Sequence, residues 1–270
     1  MKTRAKKAIR KKNMLDRSEI TEALVDSLKS LDCIHAFWEA GAVAFGRVDE
    51  WSDLDINLVV DDGMIDAAFL SVEKALSLLS PIQQKFEVVH PPDSGIHQAF
   101  YRLKNTSEYL LIDLAIFKPC SPDKFLETEL NGNPIFYFKK HNIVKTPSFD
   151  KNEFGKKVQK RLSRLKSRFN MFNIFVQKEI NRGNHIEAAD LYQNITLVSL
   201  TEALRIKHNP VHYNFKTRYI HYELPPETVE KLQSLYFVKD ERDLQEKYNE
   251  ATKWFHETVS EIAESKIVLR

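Results

Sequence analysis

The chain has 270 residues, 43% hydrophobic and 29% charged, enough apolar material for one large core or two of ordinary size. Forty Lys and Arg against thirty-eight Asp and Glu leave a formal net charge of +2, so no global field draws the molecule to nucleic acid and any phosphate chemistry must be local. The two cysteines, Cys33 and Cys120, lie far apart, which excludes a disulfide framework and a paired-cysteine metal knuckle and fits a reducing, cytoplasmic setting.

The N-terminal arm, residues 1–17, carries Lys2, Arg4, Lys6, Lys7, Arg10, Lys11 and Lys12. No apolar run follows it, so it lacks the form of a secretory signal, and no stretch is long enough to span a bilayer. A solvated tail and a phosphate-touching arm both suit this composition. Ile20, Leu24, Leu28 and Leu31 then recur at helical spacing, predicting a helix over 18–31 with Ser18 as its cap. Apolar runs at 34–38 and 54–60 predict two strands around a glycine-containing turn. Residues 63–79 predict a helix, and runs at 85–90, 96–103 and 109–117 predict three more strands. Prolines 119, 122, 134 and 147 mark a crossover around the short run 134–138. From residue 152 the texture changes. Val158, Leu162, Leu165, Phe169 and Phe172 predict a long amphipathic helix, Gly183 ends that pattern, and further helices follow at 185–206, 226–236 and 242–264. The expectation is an α+β chain: a mixed β-sheet domain with flanking helices over 18–148, then an all-α bundle over 149–270.

The informative stretch runs from Gly41 and Ala42 through Gly46 and Arg47 to Ser52, Asp53, Leu54 and Asp55. Side chains two apart on a strand share a face, so Asp53 and Asp55 point the same way. Two such carboxylates repel unless a cation lies between them, and an all-oxygen donor set suits Mg²⁺, which takes one or two carboxylates and completes its shell with water and phosphate. Asp113 is a third acid, alone in the apolar run 109–117, and a buried carboxylate needs a partner. If its strand lies beside the first, all three acids converge on divalent metal, the arrangement for in-line phosphoryl displacement. An ion pair of Asp113 with Arg47 or Arg102 is the structural alternative, and His90, His97 and His141 have no spacing that demands a ligand role.

This segment resembles the signature of the DNA polymerase β-like nucleotidyltransferase superfamily, in which a Gly followed by Ser or Gly stands upstream of an Asp-x-Asp or Asp-x-Glu pair. Here ten residues separate Ala42 from Asp53. The resemblance covers residues 34–117 and implies a mixed sheet, magnesium as cofactor and transfer of a nucleoside monophosphate from an NTP, first of all ATP. It implies that Gly41 and Ala42, with Arg47 and Ser52, meet the nucleotide, and that Asp53, Asp55 and Asp113 bind metal and carry catalysis. Ala42 departs from the pattern: it lacks the usual hydroxyl, although backbone N–H donors survive the change. A non-catalytic NTP-binding homologue is the reading that this departure leaves open.

A nucleotidyltransferase domain followed by a helical bundle further resembles the aminoglycoside and lincosamide nucleotidyltransferases. That likeness implies a small-molecule hydroxyl acceptor, with acidic residues of the bundle facing it. Glu187, Asp190 and Glu202 lie on an otherwise apolar helix, and Glu187 and Glu202 are the candidates for acceptor binding, one as general base; interhelical ion pairs are the alternative. The likeness also implies a basic contact to the triphosphate from this part of the bundle, for which Lys216 in the aromatic loop 212–219 is the first candidate; a solvated loop is the alternative. The basic run Lys156, Lys157, Lys160, Arg161, Arg164, Lys166 and Arg168 reads as a solvated helix face or as an RNA contact. Transfer to RNA or protein is the competing activity; nucleic acid is not the favoured partner, and no membrane partner is expected.

Overall fold

The computed structural model describes residues 14–91, 94–140 and 143–264. The basic arm before Met14 and His141 lie outside these residues. The chain divides into two compact units, Met1–Ser148 and Phe149–Arg270.

The first unit is built on a six-stranded sheet. In chain order it comprises α1 (Arg17–Leu28), β1 (Ile34–Glu39), the single turn α2 (Gly41–Ala44), β2 (Leu54–Val60), α3 (Ile65–Leu79), β3 (Ile82–Val88), β4 (Ile96–Leu103), β5 (Ile112–Phe117), the turn α4 (Thr128–Asn131) and β6 (Ile135–Lys139). The strand order is β3-β4-β5-β2-β1-β6. Only β2 and β5 run parallel; the other four pairings are antiparallel, which makes the sheet mixed as expected. The cap of α1 is Asp16 rather than Ser18. Its side chain accepts from the Glu19 amide while Glu19 reaches back to the Asp16 amide, a reciprocal capping box. The fifth strand opens later than its apolar run, because a turn closed by the Leu110 N–H on the Ser107 carbonyl precedes it.

Alternation decides which face each residue takes. Leu54, Ile56 and Leu58 of β2 and Ile112, Leu114 and Ile116 of β5 join Ile20, Leu24 and Leu28 of α1 and Val72 and Leu76 of α3 in one buried core. The intervening positions Asp53, Asp55 and Asp113 therefore lie on the opposite face. A smaller core of Trp38, Val59, Phe117, Leu126 and Val144 covers the far end of that face.

The second unit is helical: α5 (Lys151–Phe172), α6 (Ile174–Arg182), α7 (His185–Leu191), α8 (Val198–His208), the turn α9 (Ile220–Glu223), α10 (Pro226–Tyr236) and α11 (Glu241–Glu264). Val158, Leu162, Leu165 and Phe169 of α5 are buried, but Phe172 is 41% exposed, so the apolar stripe ends one step before the spacing predicts. The single helix expected over 185–206 is interrupted by a wider π turn, Tyr192–Leu197, within which Thr196 donates to the buried Asn173 amide oxygen at 2.6 Å. No helix among the described residues is long and apolar enough to cross a membrane.

Candidate active site

Three carboxylates gather on the open face of the sheet. Parallel pairing sets Asp55 directly opposite Asp113, and Asp53 stands two residues before Asp55 on the same face. The backbone N–H of Leu54 donates to the Leu111 carbonyl at 2.8 Å, which ties the entrances of both strands together. Trp51 and Tyr109 brace the same entrances, ring edge to ring face with centroids 4.7 Å apart.

The glycine turn belongs to this cluster. Gly41 has φ +59°, and a Cβ placed on it would lie 1.8 Å from Asp55 Oδ2. Only a residue without a side chain lets the turn close on that carboxylate. The Ala40 N–H donates to the Asp55 carbonyl at 2.9 Å and holds the two segments in register. Gly41 and Ala42 open a single helical turn whose first N–H groups have no partner within the helix.

Arg17 is the cation that the sequence reading left in the basic arm. Its guanidinium donates to the Ser52 carbonyl at 2.7 Å, to the Asp53 carbonyl, and to Glu39 Oε1 at 2.5 Å. Glu39 is buried at the end of β1, and its second oxygen accepts from the Tyr137 hydroxyl at 2.8 Å. Ser52 is engaged within its own turn: its hydroxyl donates to Asp49 Oδ1 at 2.7 Å and accepts from the Asp49 amide at 2.9 Å. Arg47 is half-buried, with its guanidinium 5.2 Å from the centre of the Phe45 ring.

Asp113 finds its partner in Gln98 of β4, whose Nε2 donates to Oδ1 at 2.6 Å. Arg102, one of the two arginines proposed for it, donates instead to the Glu108 carbonyl.

The electrostatics follow from this crowding. Burial, then the charges of Asp113 and Asp53, push the Asp55 carboxyl up to about 6, against the pull of Arg17. Asp113 is raised by burial first and by Asp53, while the Gln98 hydrogen bond and His90 draw it back. Burial also raises Asp53, opposed by the Leu111 N–H and Arg17. Three carboxylates, each held above its ordinary range, form a site whose charge asks for a cation. Among the described residues no three His, Cys, Asp or Glu side chains are arranged to hold a metal ion by themselves, so a cation here would draw further ligands from water and substrate. An open all-oxygen set beside a glycine turn fits Mg²⁺, which keeps several waters and borrows phosphate oxygens.

No family model and no curated protein matches the chain. Among solved structures it is similar to an aminoglycoside 6-adenyltransferase from Bacillus subtilis, at 14% identity across 93% of this chain and 91% of that one, with a TM-score of 0.40. A spectinomycin adenyltransferase from Enterococcus faecialis, solved with ATP and spectinomycin, is 11% identical across 89% of this chain and 100% of that one, with a TM-score of 0.37. A STING-associated c-di-GMP synthase from Capnocytophaga granulosa is 14% identical across 92% of this chain and 79% of that one, with a TM-score of 0.28.

Within the helical unit, Glu202 and Lys216 line one cavity of about 340 Å³ with Arg161, Val198, Tyr213 and Asn214. Glu202 is paired there, its two oxygens accepting from Arg161 Nε at 2.5 Å and Nη2 at 2.7 Å. Glu187 stands exposed in the first turn of α7, and Asp190 accepts from Asn194 at 2.9 Å. Apart from Arg161, the basic run of α5 is exposed.

The loop that presents Lys216 is fastened by a residue that the sequence reading passed over. Arg205 is fully buried in α8; its Nε donates to the Lys216 carbonyl at 2.6 Å, Nη2 to the Arg218 carbonyl, and Nη1 to Glu223 at 2.7 Å. Lys216 and Tyr219 have φ +52° and +62°, uncommon for side-chain-bearing residues, and the arginine holds the loop in that shape. One signal was available: a lone Arg in the apolar run 195–206 has to be paired.

Proposed function

We propose that the protein is a nucleotidyltransferase that moves a nucleoside monophosphate from an NTP, ATP first among them, to the hydroxyl of a small molecule. The observation that carries this reading is the convergence of Asp53, Asp55 and Asp113 on one sheet face, with the Gly41 turn packed on Asp55. Asp53, Asp55 and Asp113 would hold magnesium, which neutralises phosphate charge and stabilises the attacking and leaving oxygens of an in-line displacement. The N–H groups of Gly41 and Ala42 would hold phosphate oxygens, a role that needs no side-chain hydroxyl at residue 42. In the transfer, the acceptor oxygen bonds to the α-phosphorus as the bond to pyrophosphate breaks, and the hydroxyl proton leaves to a base, a role that Asp113 would take in place of metal ligation. The cavity of about 340 Å³ beside Glu202 is the proposed acceptor pocket, in the volume range of drug-sized ligand sites, and Lys216 on its wall is proposed as the contact to the triphosphate.

The test incubates the purified chain with Mg²⁺, each α-labelled NTP and a panel of aminoglycosides and other polyhydroxylated small molecules, RNAs and proteins. Label should pass to a small molecule, and Asp53→Asn or Asp55→Asn should abolish transfer with unchanged circular dichroism. Normal turnover by either variant would overturn the assignment, and label on RNA or protein alone would replace the acceptor class.

A further inference from the structure

We infer that Gln98, oriented by His90, is a positioning residue that fixes the rotamer of Asp113 and leaves Oδ2 as the one oxygen free for metal or substrate. The inference rests on the transferase reading above and adds to it the means by which the third acid is aimed.

The geometry is a chain from the segment after β3 through β4 to β5. His90, two residues beyond β3, places Nε2 2.9 Å from Gln98 Oε1, and Gln98 Nε2 lies 2.6 Å from Asp113 Oδ1. Gln98 pairs in register with Val88 on one side and Ala115 on the other, so its side chain sits diagonally from Asp113 on the same face, within reach of a long side chain. Both polar ends of the amide are occupied, and only one sense of the chain satisfies them all. A carboxylate accepts and cannot donate, so the NH₂ group must face Asp113. The carbonyl must then face His90, which requires His90 to carry a proton on Nε2. Flipping the amide would set two oxygens against each other at Asp113 and leave His90 without its acceptor. The pair therefore has a single low-energy arrangement, and Asp113 inherits it.

The need for such a device follows from the surroundings. Asp113 is the only charged residue in β5, flanked by Ile112 and Leu114 in the core under the helices, and it faces two like charges. Without a donor its carboxylate would rotate away from Asp53 and Asp55 or take up a proton. Gln98 and His90 also line a cavity of about 500 Å³ together with Asp66 and Phe69 of α3.

The test uses the full chain. Gln98→Met keeps the length and removes both hydrogen bonds; His90→Ala frees the amide but leaves the Gln98 to Asp113 bond possible; His90→Gln restores an N–H donor. Three quantities are read: single-turnover rate, KM for the NTP, and Mn²⁺ affinity with nucleotide by electron paramagnetic resonance, which needs no turnover. Loss of an outer-shell partner typically costs about 10- to 100-fold in metal affinity or rate. Gln98→Met should show a loss of that size in both, with KM within roughly twofold. His90→Ala should lose less, and His90→Gln should recover most of that loss. Wild-type rate and Mn²⁺ affinity in Gln98→Met, while Asp113→Asn is inactive, would overturn the positioning role and leave the transferase reading standing. Should Gln98→Met fold poorly, the contrast between His90→Ala and His90→Gln decides alone, and equal values for the two would overturn the role. A wild-type chain that neither transfers nucleotide nor binds Mn²⁺ with it would overturn both.

Discussion

Replacing Gly41 by Ala separates a backbone cost from a functional one, because Gly46 supplies an internal control. Both glycines have positive φ, +59° and +64°, so an alanine at either pays for a left-handed conformation, roughly 1–2 kcal/mol. They differ in what the new methyl group meets. At Gly46 nothing lies within 4 Å; at Gly41 the Cβ would fall 1.8 Å from Asp55 Oδ2 and 2.3 Å from its Cγ. Ordinary contact begins at 3.4 Å, so the carboxylate must retreat by the difference between 3.4 and 1.8, which is 1.6 Å. Rotation of the carboxylate relieves those two contacts, and the Asp55 Cβ at 3.0 Å has to give by only a few tenths of an ångström, a modest cost in stability. A reacting geometry cannot follow it, since a displacement of about 1 Å costs on the order of 100-fold in rate. The expected pattern is therefore similar urea-unfolding losses of about 1–2 kcal/mol for both variants, with a rate loss of about 100-fold or more for Gly41→Ala alone. The assay pairs urea denaturation with single-turnover nucleotidyl transfer. Full activity in Gly41→Ala, or an equal rate loss in Gly46→Ala, would refute the argument that the glycine is there to admit Asp55.

Asp55→Asn should stabilise the protein as it inactivates it. The folded carboxyl titrates at about 6 against an ordinary value of 3.8, so the folded chain holds the proton more tightly than the unfolded one, and the charge costs stability above pH 6. At about 1.36 kcal/mol per pH unit the ceiling is about 3 kcal/mol. Unfolding in EDTA should show the variant more stable at pH 8, with the advantage fading as pH falls from 6 toward 4; equal stabilisation at both ends would count against this. Arg205→Met should destabilise the helical unit by about 3–5 kcal/mol, because it removes the guanidinium from the Glu223 carboxylate, whose side chain is 4% exposed, and from the Lys216 and Arg218 carbonyls. It should also expose loop 213–219 to limited proteolysis, and a loss under about 1 kcal/mol with an intact loop would contradict the fastening role.

Much of the architecture could be read from local pattern. Apolar runs identified β2 and β4 at their observed bounds, and the alternation of side chains along a strand put Asp53 and Asp55 on one face before any partner strand was known. The change from strand runs to helical spacing falls at residue 152 in the sequence, and the two compact units divide after Ser148. Asp113 stood out because an acid in an apolar strand is costly wherever it lies. Local pattern is weaker at the ends of elements, where a capping side chain decides: Asp16 takes the position assigned to Ser18 because its partner Glu19 sits three residues on.

What the sequence by itself determined, then, was the identity of the elements and the facing of side chains within each of them. Which strand lies beside which is a different question, since any order of amphipathic strands satisfies the same alternation. The tertiary structure decided that β5 runs parallel to β2 with Asp113 opposite Asp55. It also drew Arg17 onto the Ser52 and Asp53 carbonyls, set Gln98 between His90 and Asp113, and turned Glu202 toward Arg161. Each of these partners comes from a separate stretch of chain, and no periodicity links them. Hydrogen bonds and ion pairs reach only about 3–4 Å, so their partners become definite only after the backbone has packed.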